Sequence, residues 1–421
     1  MKNMIEIGSP YIEKSDSKAR LCSDIKVDDV TSVMYFEVDE KWSEYLCTET
    51  IDAFVTGLLY FAVCNGYSIK SSSPMNEQLL FQIETYVLPV LNQIDPSEYK
   101  IIEFDVPAAD IFYDAKAVGT AVSGGVDSFY TIVKHKDDKR KNFKLTHLVV
   151  ANLFNRYADE GETRSQFERL KNKVIKIADE TGLEMISIYT NHHEFMYNHF
   201  VSLYSFRLCS YIYALQKLFG IYYISSGAAI KDTNFYNVDS DDYDIFNLSM
   251  ASTDTLKFYS SGGEALRTDK VKFISKDVTA RNHLHVCNFL ESHNCSKCDK
   301  CMRTMISLDI VGKLEQFESC FDLELYRKNR NKMLAKIYSD SWHLYKDIVD
   351  SAKEYHYKIP LRCKLKGILL MKPLLVIKNM IKKNRLIKKI YFKFKIDYLR
   401  FGKQKAELYR FGRNDFDNKG N

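Results

Sequence analysis

Nowhere in the 421 residues is there a run of about 18 apolar side chains, the length a bilayer-spanning helix requires. The apolar stretch Gly367 to Met371 is stopped by Lys372 and Pro373, and the opening segment, Met1 to Arg20, is polar and charged where a secretory leader carries an apolar block. The two absences together set the expectation of a cytoplasmic protein. Disulfides are rare in that compartment, so the ten cysteines are better read as metal ligands, active thiols or core residues. A broad excess of positive charge is also missing. The net charge is +5, but Leu361 to Asn421 holds 18 Lys and Arg against 4 Asp and Glu, leaving 42 against 51 in the remainder. A general nucleic-acid binder is basic around its site rather than in one tail, so nucleic acid is the less favoured partner.

Absent too is any Gly-Lys-Ser/Thr phosphate loop of the kinase or GTPase kind. What stands in its place is Ser123-Gly124-Gly125-Val126-Asp127-Ser128, which follows the strand-like run Ala115 to Val122 and leads into a helix-forming segment, Phe129 to His135. Two glycines let the backbone turn sharply with its N–H groups bare, the serines add hydroxyls, and a helix N-terminus adds partial positive charge. Such a cradle suits pyrophosphate or a nucleotide tail. Asp127 would repel a bare phosphate, so it reads as a helix cap or as a group that holds Mg²⁺ beside the phosphates.

At 421 residues with 46% hydrophobic and 27% charged side chains, the chain has material for two or three cores. Residues 1–115 read as an α+β N-terminal module: strand at Val30 to Val38, helices at Thr50 to Cys64 and Glu77 to Leu91, strand at Tyr99 to Val106. No catalytic constellation occurs in it, and scaffold, substrate-specifying and dimerising roles are all compatible, a homodimer among them. From Lys116 the pattern alternates. Strands at 116–122, Leu145 to Asn152, Glu184 to Tyr189 and Ile221 to Ser225 are separated by helices, including Thr163 to Thr181 and Asn198 to Phe219. This spacing predicts a Rossmann-like parallel sheet whose ligands gather at the carboxyl ends of its strands. Residues 311–360 read as helical, and 361–421 as a basic amphipathic tail able to lie on anionic lipid or to bind an acidic partner.

A second motif closes the α/β region. Cys295-x2-Cys298-x2-Cys301, with Cys287 eight residues upstream, has the pitch of a closed tetrahedral Zn²⁺ shell, with Lys297, Lys300 and Arg303 nearby to offset thiolate charge. An iron–sulfur cluster accepts the same ligands. His283, His285 and His293 flank the site, so a shell of three cysteines and one histidine is equally allowed. Alternation from His283 through His285 to Cys287 predicts a strand with all three on one face.

With these two motifs in order, residues 116–310 resemble the PP-loop ATP pyrophosphatases, and most closely the 7-cyano-7-deazaguanine synthases. The resemblance implies a PP-loop, HUP-type α/β domain with a zinc-binding C-terminal element. It also implies ATP, Mg²⁺ and Zn²⁺, and release of AMP and pyrophosphate as a carboxylate is activated for a nitrogen donor. Carried over by position, Ser123, Asp127 and Ser128 would be catalytic. Val122, Ser123, Gly124, Gly125, Val126, Asp127 and Ser128, with Asn152, Arg156, Gly227 and Asp232, would hold nucleotide; Cys287, Cys295, Cys298 and Cys301 would hold metal. The chain departs from the family in its N-terminal module and its tail. It also carries Asp239-Ser240-Asp241-Asp242 where the family shows a Tyr-Pro-Asp-Cys stretch, so the acceptor, small molecule or protein-linked, is left open.

Other residues carry weaker signals. His192-His193-Glu194 reads as a polar loop, His199 is ambiguous, and Asp232 to Asp244 lacks calcium-loop spacing. Ser261-Gly262-Gly263 reads as a turn, a lid or a second phosphate contact. Two rival functions share the fold: RNA thiolation, which needs a persulfide-bearing cysteine (Cys209 is the free candidate before the cluster) or a labile iron–sulfur cluster, and a non-catalytic nucleotide-binding module.

Overall fold

The computed structural model describes residues 3–152, 160–195, 203–235, 240–287, 293–340 and 342–373. Arg156, His199, Asp239 and the tail beyond Pro373 lie outside the described residues. The chain packs as two units, Met1–Ala265 and Leu266–Asn421.

Among the described residues of the first unit, thirteen strands form: β1 (Met4–Ile7), β2 (Tyr11–Ser15), β3 (Lys18–Val27), β4 (Val30–Asp39), β5 (Ser68–Lys70), β6 (Met75–Asn76), β7 (Phe104–Asp105), β8 (Ala108–Ala109), β9 (Ala117–Ala121), β10 (His147–Ala151), β11 (Glu184–Thr190), β12 (Phe219–Ser225) and β13 (Lys257–Ser261). Eleven join one sheet in the order β13-β12-β9-β10-β11-β4-β3-β1-β5-β7, with β2 added on β3; β6 and β8 make a separate ribbon. The five strands from β13 to β11 run parallel. β4, β3 and β1 then continue the sheet antiparallel.

Residues 1–115 therefore share a sheet with the strands that follow. Tyr189 pairs with Glu37 and Thr190 with Phe36, and Asn191 fastens the seam by accepting the Tyr35 N–H at 3.0 Å and donating to Val33 O at 2.8 Å. Helix α1 (Asp52–Asn65) is apolar on nearly every side and is buried from Asp52 to Val63, as a helix with no polar face must be. Helices α2 (Glu77–Gln82) and α3 (Leu88–Ile94) realise the helical spacing at 77–91. Between β9 and β13 run α4 (Val126–His135), α5 (Glu160–Thr181), α6 (Tyr204–Tyr213) and α7 (Asp244–Met250).

The second unit is helical: α8 (Arg267–Ile274), α9 (Val278–His283), α10 (Asp299–Ile310), α11 (Leu323–Ser339), α12 (His343–Glu354) and α13 (Leu361–Leu365). The whole is an α/β protein with a mostly parallel central sheet flanked by helices. Among the described residues, no helix is long and apolar enough to cross a membrane.

Three expectations are corrected. The strand at 99–106 shrinks to Phe104–Asp105, because only these residues meet β5. The helix expected to reach Phe219 ends at Tyr213, and Phe219 already belongs to β12. The strand through His283, His285 and Cys287 is absent: α9 runs to His283, and residues 284–287 follow as irregular chain.

Candidate functional site

Strand β9 lies between β10 and β12, so the strand order reverses at its carboxyl end, the place where α/β sheets bind ligands. Its sequence, Ala-Val-Gly-Thr-Ala, is small because aromatic rings lie against it: a Cβ on Gly119 would fall 2.6 Å from Phe219 and 2.8 Å from Tyr222. Val122 keeps the register, donating its N–H to Val149 O at 2.9 Å. The chain then turns through Gly124, whose φ of 76° is open to glycine at no cost. Gly125 caps α4 in an extended conformation.

The two serines of the loop differ. Ser123 is exposed, and its Oγ accepts the Gly125 N–H at 3.3 Å. Ser128 is buried; its Oγ accepts the Ser123 N–H at 3.3 Å and donates to Ala121 O at 3.4 Å, so it braces the turn from below. Asp127 is half-buried in the first turn of α4, where a helix leaves its N–H groups without intrahelical acceptors.

The neighbouring strand ends are tied to α4. Thr131 and Ser225 share a hydrogen bond of 2.8 Å, and the His135 ring stacks on Tyr223 at 3.8 Å with Nε2 3.1 Å from Ser261 Oγ. Burial pushes the His135 imidazole down to about 4, so it stays neutral. Glu264 accepts from Tyr130 at 2.8 Å and from Lys134 at 2.5 Å, and hydrogen bonding to these groups outweighs burial to bring its carboxyl to about 2. Ser261 ends β13, and Gly262 turns the chain with φ 99°. Ile230 of the loop after β12 donates its N–H to Gly263 O at 2.8 Å.

The remaining expected nucleotide ligands are placed as follows. Asn152 spans two strand ends, donating to Thr190 O at 2.7 Å and accepting the Thr190 N–H at 3.0 Å. Gly227 is exposed after β12, and Asp232 ends the short turn Ile230–Asp232. Asp242 accepts the Asn234 N–H at 2.8 Å and Asp244 the Ser205 hydroxyl at 2.7 Å, which gives both carboxylates structural work. His192 is fully buried with Nε2 2.7 Å from Gly57 O, and burial lowers its imidazole to about 3.

In the second unit Cys287, Cys295, Cys298 and Cys301 converge, their sulfurs all within 4.8 Å of one another. The Cys287–Cys298 and Cys295–Cys301 separations are 4.0 and 3.9 Å. A tetrahedral zinc with Zn–S bonds of about 2.3 Å has S···S edges of about 3.8 Å, so the four sulfurs fit that shell. Cys287 is therefore the fourth member of the group, and His293 is exposed beside it. Backbone N–H groups preset the thiolates: Cys298 N–H points to Cys295 Sγ at 3.3 Å and Cys301 N–H to Cys298 Sγ at 3.5 Å. Burial opposes ionisation of Cys295, yet the N–H groups of Lys297 and Cys298 prevail and bring its thiol down to about 7.

A residue that sequence reasoning passes over holds this site together. The buried Asn294 accepts the Val286 and Cys287 N–H groups on Oδ1, at 2.8 and 3.1 Å, and donates from Nδ2 to Leu284 O and Cys320 O, at 2.8 and 3.0 Å. Both donors and both lone pairs of its amide are used. Ser296, with φ 52°, accepts the Asp322 N–H at 2.9 Å and so links the cysteine knuckle to the start of α11. Only the position of Asn294 beside Cys295 hints at this role in the sequence. Downstream, Asp299 takes Arg303 at 2.8 Å, Lys336 at 2.6 Å and Tyr345 at 2.5 Å, which fixes the first turn of α10.

Fold and site together define an α/β protein carrying a four-cysteine cluster suited to a metal ion. No protein-family model matches the chain, and no curated protein or solved structure is significantly similar to it.

Proposed function

We propose that this protein is an ATP-dependent enzyme of the PP-loop type, which adenylates a carboxylate for attack by a nitrogen nucleophile and releases AMP and pyrophosphate. One observation carries the reading: Ser123 to Ser128 bridges the central parallel strand and the N-terminus of α4 at the point where the strand order reverses. The donor set fits a polyphosphate. Gly124 turns the backbone, Ser123 offers an exposed hydroxyl, and the first N–H groups of α4 face the same end of the sheet. Asp127 is the residue that would hold Mg²⁺.

ATP, when bound, supplies the activating AMP group and pyrophosphate as the leaving group. The chain's own contribution is positioning and charge stabilisation: N–H groups at the start of α4 bind the departing oxygens, and Ser128 keeps the loop in shape. Zn²⁺ in the four-cysteine cluster would act structurally, since a closed thiolate shell leaves no coordination position for substrate. Against the thiolation alternative, Cys209, its candidate persulfide carrier, is fully buried in α6 and burial pushes its thiol well up; the iron–sulfur route of that alternative is tested by metal analysis for iron against zinc.

The test uses ATP labelled at the α-phosphate, candidate carboxylates and ammonium. Labelled AMP with stoichiometric pyrophosphate is expected, and Asp127→Ala should cut turnover by about 100-fold. ADP with phosphate, or full turnover by the variant, would sink the mechanism. ATP binding without turnover of any acceptor would favour a binding module.

A further inference from the structure

The last described segment carries an apolar face that no other described residue covers. Helix α13 continues through Lys366–Met371 as a wider turn, with the Lys372 N–H bonded to Gly367 O. The segment lies on α11 through its two small buried residues. Cys363 Sγ reaches Asn331 Oδ1 at 3.6 Å, and a Cβ on Gly367 would sit 2.4 Å from Ala335 O, so no larger residue fits there. With its small side turned inward, the segment presents Leu361, Leu365, Ile368, Leu369 and Leu370 outward, each between 47 and 69% exposed. Soluble surfaces rarely gather five large aliphatic side chains in eleven residues, so the cluster marks an interaction surface.

The charges around it select the partner. Arg362, Lys364, Lys366 and Lys372 flank the leucines, and the sequence from Leu361 to Ile396 contains 12 Lys and Arg and no acidic residue. Beyond Pro373 the same composition continues, with Tyr391, Phe392 and Phe394 set among lysines. An exposed apolar row flanked by long cationic side chains suits an interface at which acyl chains lie below anionic headgroups, because Lys and Arg can bury their stems while their charges stay among the phosphates. A protein groove would be expected to meet some acidic residues here with its own cations.

We propose that residues 361–373 dock this protein reversibly on anionic lipid surfaces, with Leu361, Leu365, Ile368 and Leu369 entering the headgroup boundary. The docking rests on the exposed face alone, not on the enzymatic reading. The test is co-flotation of the full chain with phosphatidylcholine vesicles, with and without about one-third phosphatidylserine. Binding is expected only to the serine-containing vesicles, and to fall steeply between about 0.1 and 0.5 M salt as screening shortens the reach of the lysines. The double variant L365E/L369E should keep its circular dichroism, since both side chains are exposed, and lose at least about tenfold in partitioning. Equal binding to neutral vesicles, undiminished binding by the double variant, or binding to polyuridylate but not to vesicles would overturn the proposal.

Discussion

At the scale of single residues, Asn294 shows how a cluster of four cysteines suited to a metal ion is held in shape by a side chain outside the four. Its amide fits one way round only: two N–H groups face Oδ1 and two carbonyls face Nδ2. Asn294→Ala is expected to weaken zinc binding by about 10- to 100-fold, the usual cost of losing an outer-shell support. Competition with a chromophoric chelator measures this, and the cobalt-substituted protein should show a shifted thiolate charge-transfer band. Asn294→Asp keeps the acceptors and loses the donors, so it should fall between. If wild-type protein takes up no metal, the metal-centre reading fails; if only the variants match wild type, the role of Asn294 fails.

His135 and His192 predict a pH response. Burial holds their imidazoles at about 4 and about 3, against 6.5 for the free side chain. Between those values the unfolded chain binds protons that the folded chain refuses, so stability is full above 6.5 and declines as pH falls towards 4. The melting temperature at pH 5 should lie below that at pH 7.5, and His135→Gln should narrow the gap. A flat profile between these pH values would contradict the burial of both rings.

At the scale of elements, the close fit of β9 under Phe219 and Tyr222 leaves no room for growth. Gly119→Ala is expected to cost about 1–3 kcal/mol in urea unfolding, the range for an overfilled core, with the loss greater for Val. Elements with a strong period were legible in the sequence: β4, α1, β9 to β12 and α5 follow their apolar spacing. β13 was not, because Lys257–Ser261 has only five residues and polar ones at both ends, and its strand character comes from pairing with β12. Residues 99–103 have strand composition, but only Phe104 and Asp105 find a partner. In the site, glycine and cysteine spacing was legible because it is local chemistry. The Asn294 clamp and the Glu264 anchor for Tyr130 and Lys134 join residues far apart in sequence, and a single chain does not advertise such pairs.

At the scale of the whole molecule, the four-cysteine cluster and the Ser123–Ser128 loop belong to different packing units. A structural metal contributes its binding energy to the folding of the part that encloses it. Chelation should therefore lower the unfolding temperature of the unit beginning at Leu266, followed at Trp342, while Trp42 in the first unit reports a smaller change. Equal losses at both tryptophans would indicate that the two units unfold as one.

The antiparallel seam between β4 and β11 has a consequence for solubility. Without β4, the parallel strands would end in β11 with the backbone of Tyr189 and Thr190 unpaired on that side. Such an edge is a template for another chain. Residues 1–115 cover that end of the edge through β4, and cutting the chain before Lys116 is expected to yield a protein that self-associates, as light scattering would read.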